Sequence, residues 1–179
     1  MDTGFMQEVR QVGQLTDADC QLLADMKPAL ETHGPAVVEA FYTHLEKFEQ
    51  LSKLLYAEPG RVEKLKGHLR QWLVTLADGE YGESYFERRY RIGFRHVEVG
   101  LEPRYVIAAM TFCRATAASL IVEAAYANDP KKAERLVALN RIMDIDLNVM
   151  LQSYDDHRVQ QFLDVTGFSK ALFDTLMAG

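Results

Sequence analysis

Cysteine, proline and glycine are scarce in this sequence. Its 179 residues include 2 Cys, 5 Pro and 11 Gly. Cys20 and Cys113 each stand alone, with no CxxC pair, which excludes a disulfide scaffold and a structural zinc site and makes the cytoplasm the expected location. So few proline and glycine residues also argue against an all-β chain, which would need many turns.

The chain also has no net basic charge, and its first residues do not have the pattern of a signal peptide. The formal net charge is -6, so we expect neither nucleic acid nor an anionic membrane surface as a partner. The first 13 residues mix acidic and basic side chains and provide no apolar core for a signal peptide. The stretch 105–122 is poor in charge, but Arg114 lies near its centre. We therefore expect a buried helix of a soluble protein there, not a membrane span.

Motifs of common enzyme classes are also absent. The sequence has no GxSxG, no P-loop, no GxGxxG and no pair of acidic residues on one helix face that would suggest hydrolysis. We therefore expect that the chain is not an enzyme. Its length suits a single domain.

Helical periodicity is present along nearly the whole chain. Thr16, followed by two acidic residues, predicts a helix start. Gly34-Pro35 predicts a break, and a strongly striped helix begins at Arg61. The last long helix begins near Lys131 and reaches toward the C-terminus, with a weak point at Gly167. The predicted class is all-α, with six or more helices and a long C-terminal helix.

The helix that begins near Gly82 is apolar on two sides. One stripe contains Phe86, Tyr90, Gly93 and Val97, and the other contains Tyr85, Ile92 and His96. Both apolar faces of a helix with this pattern must be shielded from water by packing against something. The protein core supplies one cover, and the second could be another chain, another helix or a flat cofactor.

Three side chains on apolar faces are candidates for chemistry: Tyr42, His68 and His96. His96 lies near a helix end, where a neutral imidazole could bind a metal through one nitrogen while the other donates to a backbone carbonyl. Periodicity alone leaves structural roles open for all three. His96 and His68 could be boundary residues, and Tyr42 could be a core tyrosine bonded to backbone.

The segment RIGFRHVEVGLEPRY, residues 91–105, resembles the proximal segment of the globin domain in the globin-coupled sensors, which are bacterial haem-based gas sensors. In that family an Ile-Gly-x-x-His run is followed by a Gly-Leu-x-Pro turn. Phe41-Tyr42 matches the family's distal tyrosine helix, and Leu65-Lys66 matches the start of its distal helix. Trp72-Leu73 fits the connection toward the proximal helix, and the resemblance covers roughly residues 15 to 155.

This resemblance implies a globin fold that binds haem b. His96 would be the proximal iron ligand and Tyr42 the distal hydroxyl that stabilises bound dioxygen, while haem covers the second stripe. The domain would span 16–157, with an N-terminal extension at 1–15 and a helical extension or linker at 158–179. The side chains expected to pack on haem are Leu65, Leu69, Ile92, Val99, Leu101, Tyr105 and Met110.

Two positions depart from the family pattern. Tyr105-Val106 follows the proline where a Trp-Tyr pair is common, which alters packing beneath haem. His68 stands where many relatives have a small hydroxyl residue in the distal helix. We expect His68 to act as a sixth iron ligand when gas is absent, or to donate a hydrogen bond to the gas.

The expected function is that of a sensor of a diatomic gas, foremost dioxygen, with carbon monoxide and nitric oxide as further ligands. The charge-poor run 105–122 and the stripe 136–154 offer more apolar surface than one core needs, which predicts a homodimer through the last two long helices, and the resemblance points the same way. The resemblance also implies an output module that this chain lacks. Two alternatives stay open. One is an oxygen-handling or nitric oxide dioxygenating globin, and the other is a cofactor-free helical signalling bundle.

Overall fold

The computed structural model describes residues 3–177, and it is helical with no strand in that range. We number the α-helices in chain order. They are α1 (Thr3–Val12), α2 (Asp17–Asp25), α3 (Lys27–Leu45), α4 (Glu49–Leu55), α5 (Arg61–Thr75), α6 (Glu83–Glu98), α7 (Pro103–Ala117), α8 (Lys132–Thr166) and α9 (Lys170–Met177). A π-helical segment, Ala118–Glu123, extends α7.

The start of α2 is capped as the sequence predicts. The Thr16 hydroxyl accepts a hydrogen bond from the Asp19 backbone N–H at 3.2 Å, and the Asp19 carboxylate accepts one from the Thr16 N–H at 2.9 Å. This reciprocal capping box satisfies two N–H groups that would otherwise lack a partner. The prediction of a helix beginning at Thr16 is confirmed.

The predicted break at Gly34-Pro35 is wrong, because α3 continues through both residues. The chain instead changes helix at Met26, which ends α2 and precedes α3. Proline inside a helix removes one backbone hydrogen bond. Here α3 packs against both α5 and α7 and buries residues such as Val37, so tertiary packing outweighs that local cost.

Most of the other helices pack against α8, against α3 or against both. α6 lies along α8, which α1 and α2 also contact, whereas α3 packs against α5 and α7. α5 and α6 make no extensive contact with each other among the described residues. We refer to the region between α5 and α6 as the slot and to these two helices as its walls.

The charge-poor helix is partly a core helix. By length and composition, Pro103–Glu123 would suffice to cross a membrane. Its inner face packs in the core through Val106, Met110 and Cys113, while Ile107 on the outer face is 43% exposed. An apolar outer face therefore remains on α7.

The longest helix, α8, spans the 157/158 position at which the sequence suggested a domain boundary. It ends at Gly167, the predicted weak point, where φ is +71°. Glycine adopts this left-handed conformation without steric cost, which explains the end of the helix at this residue. The short α9 then folds back so that Phe173 contacts Phe162.

Candidate functional site

The end of α6 fixes the position of His96. The Leu101 N–H donates to the His96 carbonyl at 3.0 Å, and the Gly100 N–H donates to the Val97 carbonyl at 2.9 Å. Gly100 has φ +69°, so the two hydrogen bonds form a Schellman motif that satisfies the last carbonyls of the helix. Pro103 then begins α7 as a first-turn proline. The Gly-Leu-x-Pro run thus holds His96 at the edge of a sharply ended helix.

α6 also approaches α8 unusually closely. A Cβ atom at Gly93 would lie 2.3 Å from the Met150 carbonyl oxygen and 2.4 Å from Oγ of Ser153, closer than real Cβ contacts. In the turn that follows α6, the Leu101 carbonyl accepts a hydrogen bond from the Tyr154 hydroxyl at 2.7 Å. These contacts place α6 and the following turn at a fixed distance from α8.

The His96 ring has an unsatisfied polar atom. Its Nδ1 is buried and has no hydrogen-bond partner among the described residues, so the backbone carbonyl partner expected from the sequence is not found. Burial lowers the pKa of His96 to about 4, which makes the ring neutral at pH 7. Burying a polar nitrogen without a partner costs free energy, and such atoms are rare in folded proteins. A neutral imidazole in this state is suited to ligate a metal.

Tyr42 carries the second polar group without a partner. Seven of the eight tyrosines donate a hydrogen bond from their hydroxyl, and Tyr42 on α3 is the exception within residues 3–177. The side chain is buried, and this burial raises its pKa. It therefore remains a neutral phenol, able to donate to a ligand that enters beside it.

Apolar side chains predicted to pack on haem lie on both walls of the slot. Leu65 and Leu69 of α5 and Ile92 of α6 are partly buried and pack against the core, as does Leu101. Met110 of α7 is buried. The partial exposure of the four others leaves apolar surface that a flat ligand could cover.

Three other predicted residues lie in different surroundings. Val99 is 40% exposed at the end of α6. The Tyr105 hydroxyl donates to Oε1 of Gln50, which links α7 to α4. His68 is exposed on α5, one turn before Trp72. The structure therefore does not bury His68 beside Tyr42.

The residues present fit a haem. His96 would supply a neutral imidazole whose buried Nδ1 has no partner among the described residues, Tyr42 would supply a hydroxyl donor, and partly buried apolar side chains of α5 and α6 would pack against the group. His96, Leu65 and Ile92 would hold the group.

A buried polar cluster beside the slot was missed by sequence reasoning. Asp146 of α8 is fully buried and accepts hydrogen bonds of 2.8 Å from Trp72 of α5 and from Tyr85 and Arg89 of α6. Arg89 is 2% exposed. The available signal was Asp146, which lies on the apolar stripe of the last helix between Met143 and Met150, whereas its neighbour Asp144 lies off that stripe and is exposed.

Two surface cavities lie away from these residues. One, of about 340 Å³, is at the start of α5 beside Tyr56 and Lys66. The other, of about 410 Å³, lies between α1 and α8 beside Val9 and Ile145. None of the predicted site residues lines either cavity.

Comparison with known proteins agrees with this geometry. The sequence matches the Protoglobin family over residues 4–160. It is 30% identical over 159 residues to the heme-based aerotactic transducer HemAT of Halobacterium salinarum, an alignment that covers 84% of this chain and 32% of that protein. The chain thus spans about a third of that relative's length.

A solved structure is similar as well. The globin domain of a Geobacter sulfurreducens globin-coupled sensor superposes with a TM-score of 0.77 at 32% sequence identity, covering 83% of this chain and 97% of that domain. The resemblance to the globin domains of these sensors and the predicted globin fold are confirmed. By sequence and by fold, this chain belongs to the Protoglobin family.

Proposed function

We propose that this chain is a haem-based gas-sensing domain that binds haem b through His96. The observation that carries the proposal is the buried Nδ1 of His96, which has no partner among the described residues. The two relatives, a heme-based aerotactic transducer and the globin domain of a globin-coupled sensor, support it. Haem supplies an iron atom that binds dioxygen, carbon monoxide or nitric oxide.

His96 has two tasks in this account. It presents a neutral nitrogen to the iron, because burial holds its pKa near 4 and no proton competes at pH 7. Its position follows from the Schellman motif at Gly100 and from the close approach of Gly93 to α8. The ligand thus sits on a helix end that cannot shift without disturbing α8.

Tyr42 selects among gases by donating a hydrogen bond. Dioxygen gains negative charge on binding, so a hydroxyl donor in a pocket shielded from water stabilises it by about 1.5 to 3 kcal/mol. Carbon monoxide is less polar and gains less. The hydroxyl is free for this role because it has no partner within residues 3–177.

His68 stays a separate part of the proposal. Coordination of iron by His68 in the absence of gas requires α5 to bring this exposed side chain into the slot. Displacement by gas would then couple gas binding to a movement of α5. Resonance Raman spectra that show five-coordinate or water-ligated iron, unchanged in His68→Ala, would remove this role.

A homodimer through α7 and α8 is also proposed. Ile107 on α7 and Val137 on α8 are 43% and 45% exposed, which leaves apolar surface on both helices. We propose a cytoplasmic sensor in which residues 16–157 bind haem, 1–15 form an N-terminal extension and 158–179 lead toward an output module. Light scattering that gives a mass near that of one chain, 20.4 kDa, at tens of micromolar protein would reject the dimer.

Absorption spectra test the proposed function directly. The purified protein, after haem addition where needed, is recorded in its ferric, ferrous and ferrous-gas forms. We expect a strong Soret band that shifts with dioxygen and with carbon monoxide. A protein that stays colourless after haem addition would be a cofactor-free bundle, and a haem protein that binds no gas would not be a gas sensor.

A further inference from the structure

The polar cluster around Asp146 joins three helices inside the protein. It comprises Trp72 and Thr75 of α5, Tyr85 and Arg89 of α6, and Asp146 of α8, and we call it the Asp146 cluster. Its carboxylate accepts three hydrogen bonds of 2.8 Å. The second arm of Arg89 donates to the Thr75 hydroxyl at 2.9 Å, so Arg89 touches both other helices.

Burial restricts the side chains of this cluster to one arrangement. Asp146 is 0% exposed and Arg89 is 2% exposed. The Arg89 guanidinium also lies 3.8 Å from the centre of the Tyr85 ring. Removal of one partner from a buried ion pair leaves an uncompensated charge. The donors and acceptors therefore hold one another in a single arrangement, which apolar side chains of similar size would not enforce.

The cluster lies the same number of residues from Leu65 on α5 as from His96 on α6. Trp72 lies seven residues after Leu65 on α5, and Arg89 lies seven residues before His96 on α6. Seven helical residues are about two turns, or about 10 Å along each axis. The cluster therefore connects the two slot-forming helices at a similar distance from the distal and the proximal groups.

The cluster provides a direct hydrogen bond between α5 and α6. They make no extensive contact with each other among the described residues, whereas α6 packs along α8. The hydrogen bonds of Trp72 and Thr75 are long-range links between α5 and the unit formed by α6 and α8. These polar contacts are thus a direct side-chain connection between the two walls, beside the apolar core packing of α5.

We propose that Asp146 is a positioning residue which fixes α5 and α6 to α8, so that both walls of the slot and α8 shift as one unit. The proposal rests on the proposed function, because the slot is the proposed haem site. Asp146 lies on α8 and acts through His96 on one side and through α5 on the other. Coupling between two sites is reciprocal: the cluster influences the haem site, and occupancy of that site influences α8.

The first test compares Asp146→Asn with Ile142→Val in the haem-loaded full chain. Ile142 is equally buried on α8, one turn before Asp146, and lies outside the cluster. We expect Asp146→Asn to displace or broaden the iron–histidine stretching band in the ferrous resonance Raman spectrum and to change the dioxygen release rate by about five-fold or more. Ile142→Val is expected to change neither, although it lowers stability.

A second variant keeps the test decisive if Asp146→Asn does not fold. Trp72→Phe/Thr75→Val cuts α5 from the cluster and leaves the Arg89–Asp146 pair intact. We expect a changed dioxygen release rate with an unchanged iron–histidine band. Hydrogen–deuterium exchange of the wild-type protein is expected to show that haem loading protects α8 around Asp146, and to show less protection in this double variant.

Failure of the proposal and failure of the proposed function are distinguishable. A wild-type chain that binds no haem overturns the function. The positioning role would be overturned, while the function stands, if haem-loaded Asp146→Asn had the same iron–histidine band and dioxygen release rate as Ile142→Val. If Asp146→Asn does not fold, a double variant with the release rate and the α8 exchange of the wild type would overturn it instead.

Discussion

The two walls of the slot are built differently. On the proximal side, α6 is attached to α8 by the buried Arg89–Asp146 pair, by the close approach at Gly93 and by the hydrogen bond from Tyr154 to the Leu101 carbonyl. On the distal side, the Tyr42 hydroxyl has no partner within residues 3–177, and His68 is exposed. The proposed iron ligand thus stands on a helix with several contacts to α8, whereas the two proposed distal groups have no hydrogen-bond partner within residues 3–177.

The largest expected effect comes from a substitution that disturbs the packing of α6, the proximal wall, against α8. Gly93→Ala places a Cβ 2.3 Å from the Met150 carbonyl oxygen and forces α6 away from α8. We expect a loss of about 3 kcal/mol in the free energy of unfolding and weaker haem retention, measured by urea unfolding and by haem transfer to an acceptor protein.

Gly67→Ala is the matched control for this prediction. Gly67 lies within α5, and no atom lies within 4 Å of a Cβ built there. Alanine in an exposed helix interior should stabilise the protein by up to about 1 kcal/mol. Equal effects of the two substitutions would show that the contact between α6 and α8 is not tight.

The next effect concerns the pH dependence of the haem-free protein. Burial lowers the pKa of His96 from 6.5 to about 4. Between these values the unfolded chain binds more protons, so stability is lost as pH falls. We expect this histidine to reduce the free energy of unfolding by about 2 kcal/mol between pH 8 and pH 5. His96→Leu should remove that part of the pH dependence, and an unchanged dependence would contradict the burial.

Tyr42→Phe tests whether the free hydroxyl on the distal side donates a hydrogen bond to dioxygen. Dioxygen release should accelerate about ten- to a hundredfold, since a bond of about 1.5 to 3 kcal/mol is lost, while carbon monoxide release changes much less. Stopped-flow measurements check both rates. Because the hydroxyl has no partner within residues 3–177, the haem-free protein should keep its stability, whereas Tyr154→Phe should cost about 1 kcal/mol. A dioxygen rate that is unchanged would place the distal donor elsewhere.

His68→Ala should have the smallest effect on stability, because the side chain is exposed on α5. We expect a change of within about 0.5 kcal/mol in the free energy of unfolding. Its effect on the gas-free spectrum depends on whether α5 brings the imidazole into the slot. A spectrum that changes from six- to five-coordinate in this variant would show that it does.

Local signals in the sequence predicted the ends of the helices near the site. Thr16, Gly100, Pro103 and Gly167 act through the backbone of their own segment, and the structure shows each at a helix end. Pro35 is different, because its local preference for a break is overruled by the packing of α3 against distant helices.

Long-range contacts could not be predicted in the same way. The Asp146 carboxylate pairs with residues 57 to 74 positions away, and only the fold brings them together. The stripe pattern placed Gly93 on a buried face, but the approach of the Met150 carbonyl depends on how α8 crosses α6. The resemblance identified His96 and Tyr42 as candidates, while their missing hydrogen bonds are properties of the folded chain.

The central claim is that His96 ligates haem iron. Haem titration of the wild-type apoprotein, His96→Ala and His33→Ala tests it most directly, since His33 is a partly buried histidine of α3. The account predicts a Soret band that saturates at one haem per chain for the wild type and His33→Ala, and weak binding with an altered spectrum for His96→Ala. Saturation of His96→Ala at one haem with the wild-type spectrum would contradict it.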